Sequence, residues 1–287
     1  MSRTGSPFKR YEPEGMPSPL VFDSPHSGSI YPENFAFDCP LPILRQAEDS
    51  FVDDLFAAAP YYGATYIVAQ FPRSYIDVNR AVDDIDPHLL AAPWPAARPS
   101  EKSRVGMGLV RRICKPGLPV YNRKLRPAEI QARIDKYYLP YHHELAQAIE
   151  ATLKRFGAVW HLNCHSMPST SVGNHHTGWE RADFVLGDRD GTTCDVAFRK
   201  VVSRILERMG YSVRINDPYK GVEIVRRYGN PAQGVHSLQL EINRRLYLNE
   251  ATLKPSPGYE RLKQNLGALM AALQAYTNDQ LFSAAAD

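Results

Sequence analysis

The feature that most constrains this chain is a repeated alternation of short β-branched or aromatic runs with stretches of helical periodicity. The runs lie at Leu20–Phe22, Ala64–Val68, Val159–Leu162, Phe184–Leu186 and Val213–Ile215, each bounded by turn formers. Between them, helical spacing covers Leu44–Ala58, Pro127–Phe156 with a kink expected at Pro140, Thr192–Met209 closed by Gly210, and Tyr259–Leu281. Strands separated by helices return parallel to one another, so the pattern predicts an α/β three-layer sandwich around a mostly parallel, mixed sheet. At 287 residues and 44% apolar content the chain fills an ordinary core. With no repeat and no low-complexity linker, residues 1–287 read as a single domain. From Asp86 through Pro93-Trp-Pro95 to Leu109 the chain is proline-rich and reads as an ordered excursion, of the kind that often covers a pocket.

Charge excludes some functions. The 34 basic and 31 acidic side chains nearly cancel and form no basic block, which argues against nucleic acid as a partner. The start, Met1 to Arg10, lacks the apolar stretch of a secretory signal, and no later apolar run approaches the roughly 18–20 residues that span a bilayer. The expectation is a cytoplasmic protein without a membrane partner. Cys39, Cys114, Cys164 and Cys194 are far apart in sequence and form no Cys-x-x-Cys pair, so they read as small buried apolar side chains rather than disulfides or zinc ligands.

Chemistry concentrates in a few segments. His26, in Phe22-Asp-Ser-Pro-His-Ser-Gly28, follows a predicted strand, and strand ends of open α/β sheets are where ligands bind. Its competing reading is a histidine hydrogen-bonded within a turn. In Val159-Trp-His-Leu-Asn-Cys-His165, alternation puts His161, Asn163 and His165 on one side. The terminal His165 is then the ligand candidate, and His161 a core or supporting histidine. Two imidazoles and a carboxylate make a hydrolytic zinc set. The carboxylate is offered by Ala47-Glu-Asp-Ser-Phe-Val-Asp53, where Asp49 ranks above Asp53 because it lies nearer the start of the predicted helix and hence the strand-end rim. Either acid also reads as a solvated or helix-end charge.

Ser74-Tyr-Ile-Asp-Val-Asn-Arg80 offers a carboxylate grip, with a guanidinium fork from Arg80 and an amide from Asn79. The alternative is an ion pair of Arg80 with Asp77 or Asp83. Arg226 and Arg227, set among tyrosines and glycines, are further anion-binding candidates or plain surface charges. Leu238-Gln-Leu-Glu-Ile-Asn243 has period two, with Gln239, Glu241 and Asn243 on its polar face. Glu241 there is either a proton-transferring base or the partner of Arg244 or Arg245 in a structural ion pair.

These pieces together resemble the N-formylglutamate amidohydrolase family: Ser24-Pro-His-Ser-Gly28, Glu48-Asp-Ser-Phe-Val-Asp53, Ile76-Asp-Val-Asn-Arg80, Asn163-Cys-His-Ser166, Asn216-Asp-Pro-Tyr-Lys-Gly221 and Gln239-Leu-Glu-Ile-Asn-Arg-Arg-Leu-Tyr247. They occur in the family's order and cover roughly Leu20 to Glu250. The resemblance implies a zinc-exopeptidase-like, carboxypeptidase and aspartoacylase-related catalytic domain with Zn2+ as cofactor. It implies His26, Asp49 and His165 as metal ligands, Asn79 and Arg80 on the substrate carboxylate, and Glu241 as general base. Its implied reaction is hydrolysis of N-formyl-L-glutamate to formate and L-glutamate, a step of histidine breakdown. Carboxypeptidase-like enzymes carry their metal glutamate three residues after the first histidine, where this chain has Ser29, and many relatives have Asp where this chain has Asn163. The rival readings are hydrolysis of another small-molecule N-acyl amino acid or short peptide, and a zinc- or ligand-binding module without turnover.

Overall fold

The structure, a computed structural model, describes residues 6–170 and 181–284. Seven strands form the main sheet: β1 (Phe8–Tyr11), β2 (Leu20–Ser24), β3 (Thr65–Ala69), β4 (Val159–Met167), β5 (Phe184–Gly187), β6 (Val213–Ile215) and β7 (Val235–Asn243). Their order is β1-β3-β2-β4-β7-β5-β6. β2–β4, β4–β7 and β5–β6 pair parallel, and β5 runs antiparallel to β7, which makes the sheet mixed as expected. β4 and β7 are buried along nearly their whole length, on both faces. Helical connections impose this on a parallel sheet, and apolar side chains on one face with paired polar ones on the other make it affordable.

The chain gathers into two compact units, each assembled from separate segments. One comprises Pro25–Ser50 and Ile67–Leu145 with residues 6–9; the other comprises Arg10–Ser24, Phe51–Tyr66 and the chain from Ala146 onward. In the second unit, helix Val196–Arg208 buries Phe198, Val202 and Leu206 at four-residue intervals, one stripe of a 3.6-residue period. The Asp195 carboxylate caps it by accepting from the Ala197 amide at 2.7 Å. Each such fully buried side chain contributes about 1.5–3 kcal/mol. In the first unit, Phe35, Tyr75 and Tyr121 pack edge-on or tilted around the buried guanidinium of Arg133, which donates to the Tyr75 carbonyl and the Tyr121 hydroxyl.

Several elements differ from the sequence expectation. The helix predicted over Leu44–Ala58 is two short ones, Leu41–Arg45 and Val52–Leu55, broken where Phe51 takes a left-handed φ of 64°. Leu44, Val52 and Leu55 are core residues, so their spacing mimics one helix, but the buried acids Glu48 and Asp49 leave the periodic face to meet polar partners. Asp49 and Asp53 therefore do not share a helix face. At Pro140 the chain does not break: a π-helical turn at Ile134–Tyr138 precedes Leu139–Phe156, an irregularity that accommodates the missing proline N–H. β1 escaped prediction because half of its side chains are exposed, leaving little apolar signal.

All four cysteines are free thiols, as read, with Cys39, Cys164 and Cys194 buried and Cys114 half-buried. Cys39 and Cys114, 75 residues apart, place their Sγ atoms 2.7 Å from each other as free thiols. Sequence distance says nothing about such a meeting. No described helix is long and apolar enough to cross a membrane.

Candidate metal and substrate site

The turn after β2 carries His26 against the beginning of the 70s segment. Ile30 donates its amide to the Gln70 carbonyl at 2.9 Å, and Gly28 lies so close to the Phe71 carbonyl oxygen that no Cβ would fit. His26 is 1% exposed. Its Nε2 stands 2.7 Å from Asp77 Oδ1, so it donates there and leaves Nδ1 to offer its lone pair. That Nδ1 lies 3.4 Å from Asp49 Oδ2. Atoms about 2.0–2.2 Å from one ion stand roughly 3–4 Å apart, so the spacing is that of two ligand atoms rather than of a hydrogen bond. Asp49 is held by its own amide, which donates to the His26 carbonyl at 3.0 Å.

Asp77 is the hub of this side. Its Oδ1 accepts from His26 and from the Asn79 amide at 2.9 Å, and its Oδ2 accepts from Arg73 at 2.8 Å. Burial works against its charge, but Arg73, then His26 and Arg80, overcome it and hold the carboxyl well below the usual range. Arg73 also reaches toward Asp49, at 3.7 Å. Arg80, the expected carboxylate clamp, approaches Asp77 no closer than 3.9 Å, and its buried Nε has no hydrogen-bond partner among the described residues. Burial, foremost, lowers its pKa. Arg111 belongs to the same electrostatic cluster, its pKa brought down to about 10 by burial, then by Arg73.

His165 is prepared differently. Its Nε2 is 2.7 Å from Asn163 Oδ1, and Asn163 Nδ2 donates to Asp23 Oδ1 at 2.7 Å. A carboxylate only accepts, so the amide must turn its oxygen to His165, which fixes that imidazole as an Nε2 donor with Nδ1 as its ligating nitrogen. Asp23 Oδ1 also meets His161 Nε2 at 2.9 Å, and His161 Nδ1 meets Ser237 Oγ at 2.8 Å. All of Asp23, His161, Asn163 and Ser237 are fully buried. The chain thus keeps its negative charge one link behind Asn163, at Asp23. Beside His165 in the sheet register lies Glu241, 8% exposed, whose Oε1 accepts from Gln239 at 2.9 Å.

The side chains of His26, Asp49 and His165 each bring a ligand atom within 4.8 Å of the other two, and all three residues are buried. Asp53 is not in that group. Two neutral imidazoles, each with its second nitrogen already engaged, and one carboxylate are the donor types and orientation a zinc-type ion requires. Ser29, at the position of the exopeptidase glutamate, is exposed, and the carboxylate that lies with the two histidines is that of Asp49.

Arg226 is tied to Glu223 at 2.8 Å and exposed, and the exposed Arg227 guanidinium lies 5.8 Å from the Tyr228 ring centroid. Both match the surface-charge reading. Arg245 pairs with Asp183 at 2.9 Å, and Arg244 donates to Ser166 at 3.1 Å. The excursion borders a concavity of about 310 Å³ lined by His88, Arg112 and Tyr121 among others, which contains none of the metal-ligating residues. Sequence reasoning missed Asp23 and Arg111, and it saw Asp77 only as a partner for Arg80. The arginine-rich spacing around Asp77 was the one signal available.

Fold and site define an α/β protein with a buried His-Asp-His cluster of metal-ligating type, with guanidiniums gathered around a carboxylate on the His26 side. The chain belongs to the N-formylglutamate amidohydrolase family, whose sequence model matches residues 18–248. It is 28% identical over 264 residues to an N-formylglutamate deformylase of Pseudomonas putida, covering 88% of this chain and 92% of that protein. A solved structure of an N-formylglutamate amidohydrolase from Ralstonia eutropha JMP134 is 45% identical with a TM-score of 0.91, covering 96% of this chain and 99% of that one. The Agrobacterium tumefaciens gene product Atu2144, 18% identical over 99% of this chain and 97% of that one, shares the fold with a TM-score of 0.65.

Proposed function

We propose that this protein is a zinc-dependent amidohydrolase that cleaves N-formyl-L-glutamate to formate and L-glutamate. The observation that carries the reading is the approach of His26, Asp49 and His165, which brings three ligand atoms within 4.8 Å of one another. The names of the Pseudomonas deformylase and the Ralstonia amidohydrolase, both for N-formylglutamate, support the choice of substrate. When bound, a zinc-type ion supplies Lewis acidity to the acyl oxygen and to water. His26 and His165 present their Nδ1 atoms because Asp77 and Asn163 hold the opposite nitrogens. Arg80, whose Nε has no hydrogen-bond partner among the described residues, and the neighbouring Asn79 grip the substrate's α-carboxylate and fix the amide in place. Glu241 removes the proton of the attacking water and returns it to the departing nitrogen. Gln239, donating to Oε1, orients the carboxylate for both transfers.

The test is a comparison of zinc-loaded and chelator-treated protein on N-formyl-, N-acetyl- and N-succinyl-L-glutamate, following release of the free amine. Hydrolysis of the formyl compound by the loaded protein alone is expected. Full activity after complete metal removal would overturn the metal role, and preference for a larger acyl group would overturn the substrate.

A further inference from the structure

The first unit places more guanidinium around Asp77 than Asp77 can satisfy. Arg73 occupies Asp77 Oδ2 at 2.8 Å, while His26 and the Asn79 amide occupy Oδ1. Of the next two acids along, Asp83 lies 4.0 Å from Arg98, and Asp84 has both oxygens engaged by Ser100, through its amide at 2.8 Å and its hydroxyl at 2.9 Å. Two cations remain. Arg80 keeps a buried Nε that comes no closer than 3.9 Å to Asp77 and has no hydrogen-bond partner among the described residues. Arg111, partly buried, is engaged through its backbone in a bridge with Met107, and among the described residues its guanidinium has no hydrogen-bond or ion-pair partner.

Arg111 is not there by looseness of its segment. The Leu109 carbonyl accepts from the Asp77 amide at 2.7 Å, and the Leu109 amide donates to the Asp84 carbonyl at 2.7 Å. The end of the excursion is thereby pinned to both ends of the Asp77–Asp84 stretch that carries Arg80. Arg80 is itself anchored through its carbonyl, which accepts from the Tyr138 hydroxyl at 2.9 Å. Burial first, then the charges of Arg73, Asp77, Arg80 and Cys114, set the Arg111 pKa at about 10, so it stays protonated at neutral pH. Desolvating a guanidinium without an acceptor is costly, and two such groups, on segments tied together by backbone bonds and acting on each other's charge, call for two anionic groups from a ligand.

We infer that Arg111 is a specificity-determining residue that binds the side-chain carboxylate of the substrate, while Arg80 binds its α-carboxylate, so that the site selects N-formyl amino acids bearing a second carboxylate. The inference rests on the N-formyl amino acid reading above and adds the residue that tells an acidic side chain from a neutral one of the same shape. N-formyl-L-glutamine provides that comparison, since its side chain replaces one oxygen of the carboxylate by NH2, which cannot accept from a guanidinium.

The test compares zinc-loaded wild-type protein, Arg111→Gln and Arg111→Lys on N-formyl-L-glutamate and N-formyl-L-glutamine, with melting temperature as a check on folding. The wild type is expected to favour the glutamate compound. Arg111→Gln should lose roughly 10- to 100-fold in kcat/KM on it, the loss of one charged hydrogen-bonded contact, and change little on the glutamine compound. Arg111→Lys should fall between, because a point charge cannot make the paired bonds of the fork. Equal losses on both substrates would overturn the inference and place Arg111 on the α-carboxylate or in a structural role. A wild type that cleaves both compounds equally well would overturn it without any variant, even if the variants fail to fold. If the wild type cleaves neither, the hydrolase reading fails by itself. Calorimetric binding of the two compounds then decides on Arg111, with an Arg111-dependent preference for the glutamate compound supporting the role and its absence overturning it.

Discussion

At the scale of single residues, the proposed roles separate groups that would hold a metal from groups that would move protons or bind substrate, and the separation is testable. Glu241→Gln keeps the shape of the side chain and removes the proton acceptor. It should lower kcat by about 10²–10⁴-fold while zinc content and melting temperature stay near those of the unaltered protein. An unchanged rate in a fully loaded variant would remove Glu241 from proton transfer. Asp49→Ala should abolish stoichiometric zinc binding, measured by elemental analysis after dialysis, whereas Asp53→Ala should retain it, because only Asp49 lies with His26 and His165. His26, His165 and Asp49 were legible in the sequence as candidates, from residue types and positions near strand ends and turns, and the structure brings their ligand atoms within 4.8 Å of one another. Their supports were not. Asp77 is 51 residues from His26, and Asp23 is 140 residues from Asn163, distances at which no local pattern announces a partner.

Elements set the precision of those residues. The turn bearing His26 is laid against Phe71 with no room for a Cβ at Gly28, so Gly28→Ala must push the turn away from the segment that carries Asp77. A loss of about 1–3 kcal/mol of stability is expected from the overpacking, with weaker metal binding accompanying it, both read from unfolding curves with and without zinc. On β4 the equivalent device is polar. Asn163→Leu would leave Asp23 short of a donor and His165 without its acceptor, so zinc affinity should fall roughly 10- to 100-fold in a competition titration, the usual effect of removing a metal ligand's supporting partner. A variant that binds zinc as tightly as the original would show that the strand backbone alone orients His165. The places of five strands followed from β-branched runs bounded by turn formers, but not all of their limits: β4 continues past the expected Leu162 to Met167, where polar residues carry the strand on. The helix around Asp49 was misread because core residues on either side of a buried polar turn keep helical spacing through it.

For the whole molecule, the α/β class was readable from alternation, whereas the order of strands was not. Period and propensity describe each strand alone, and the crossing of β2 to lie between β3 and β4 depends on packing between segments far apart in the chain. The same folding back brings Cys39 and Cys114 together from segments 75 residues apart. Burial first, then the neighbouring Cys39, push the Cys114 thiol up to about 12, so almost none of it is thiolate at neutral pH. Exchange with oxidised glutathione, which would join the two sulfurs and release two molecules of the reduced tripeptide, should therefore be slow at pH 7 and accelerate toward pH 9 as thiolate appears. Mass spectrometry of unreduced protein would follow the loss of two hydrogens, and a Cys39→Ser variant should lack it. Absence of the cross-link after prolonged incubation at pH 9 would show that the contact is closed to reagents. A preparation aged without reductant would then be a mixture of two covalent forms, and differences in activity between batches would report storage history rather than metal content.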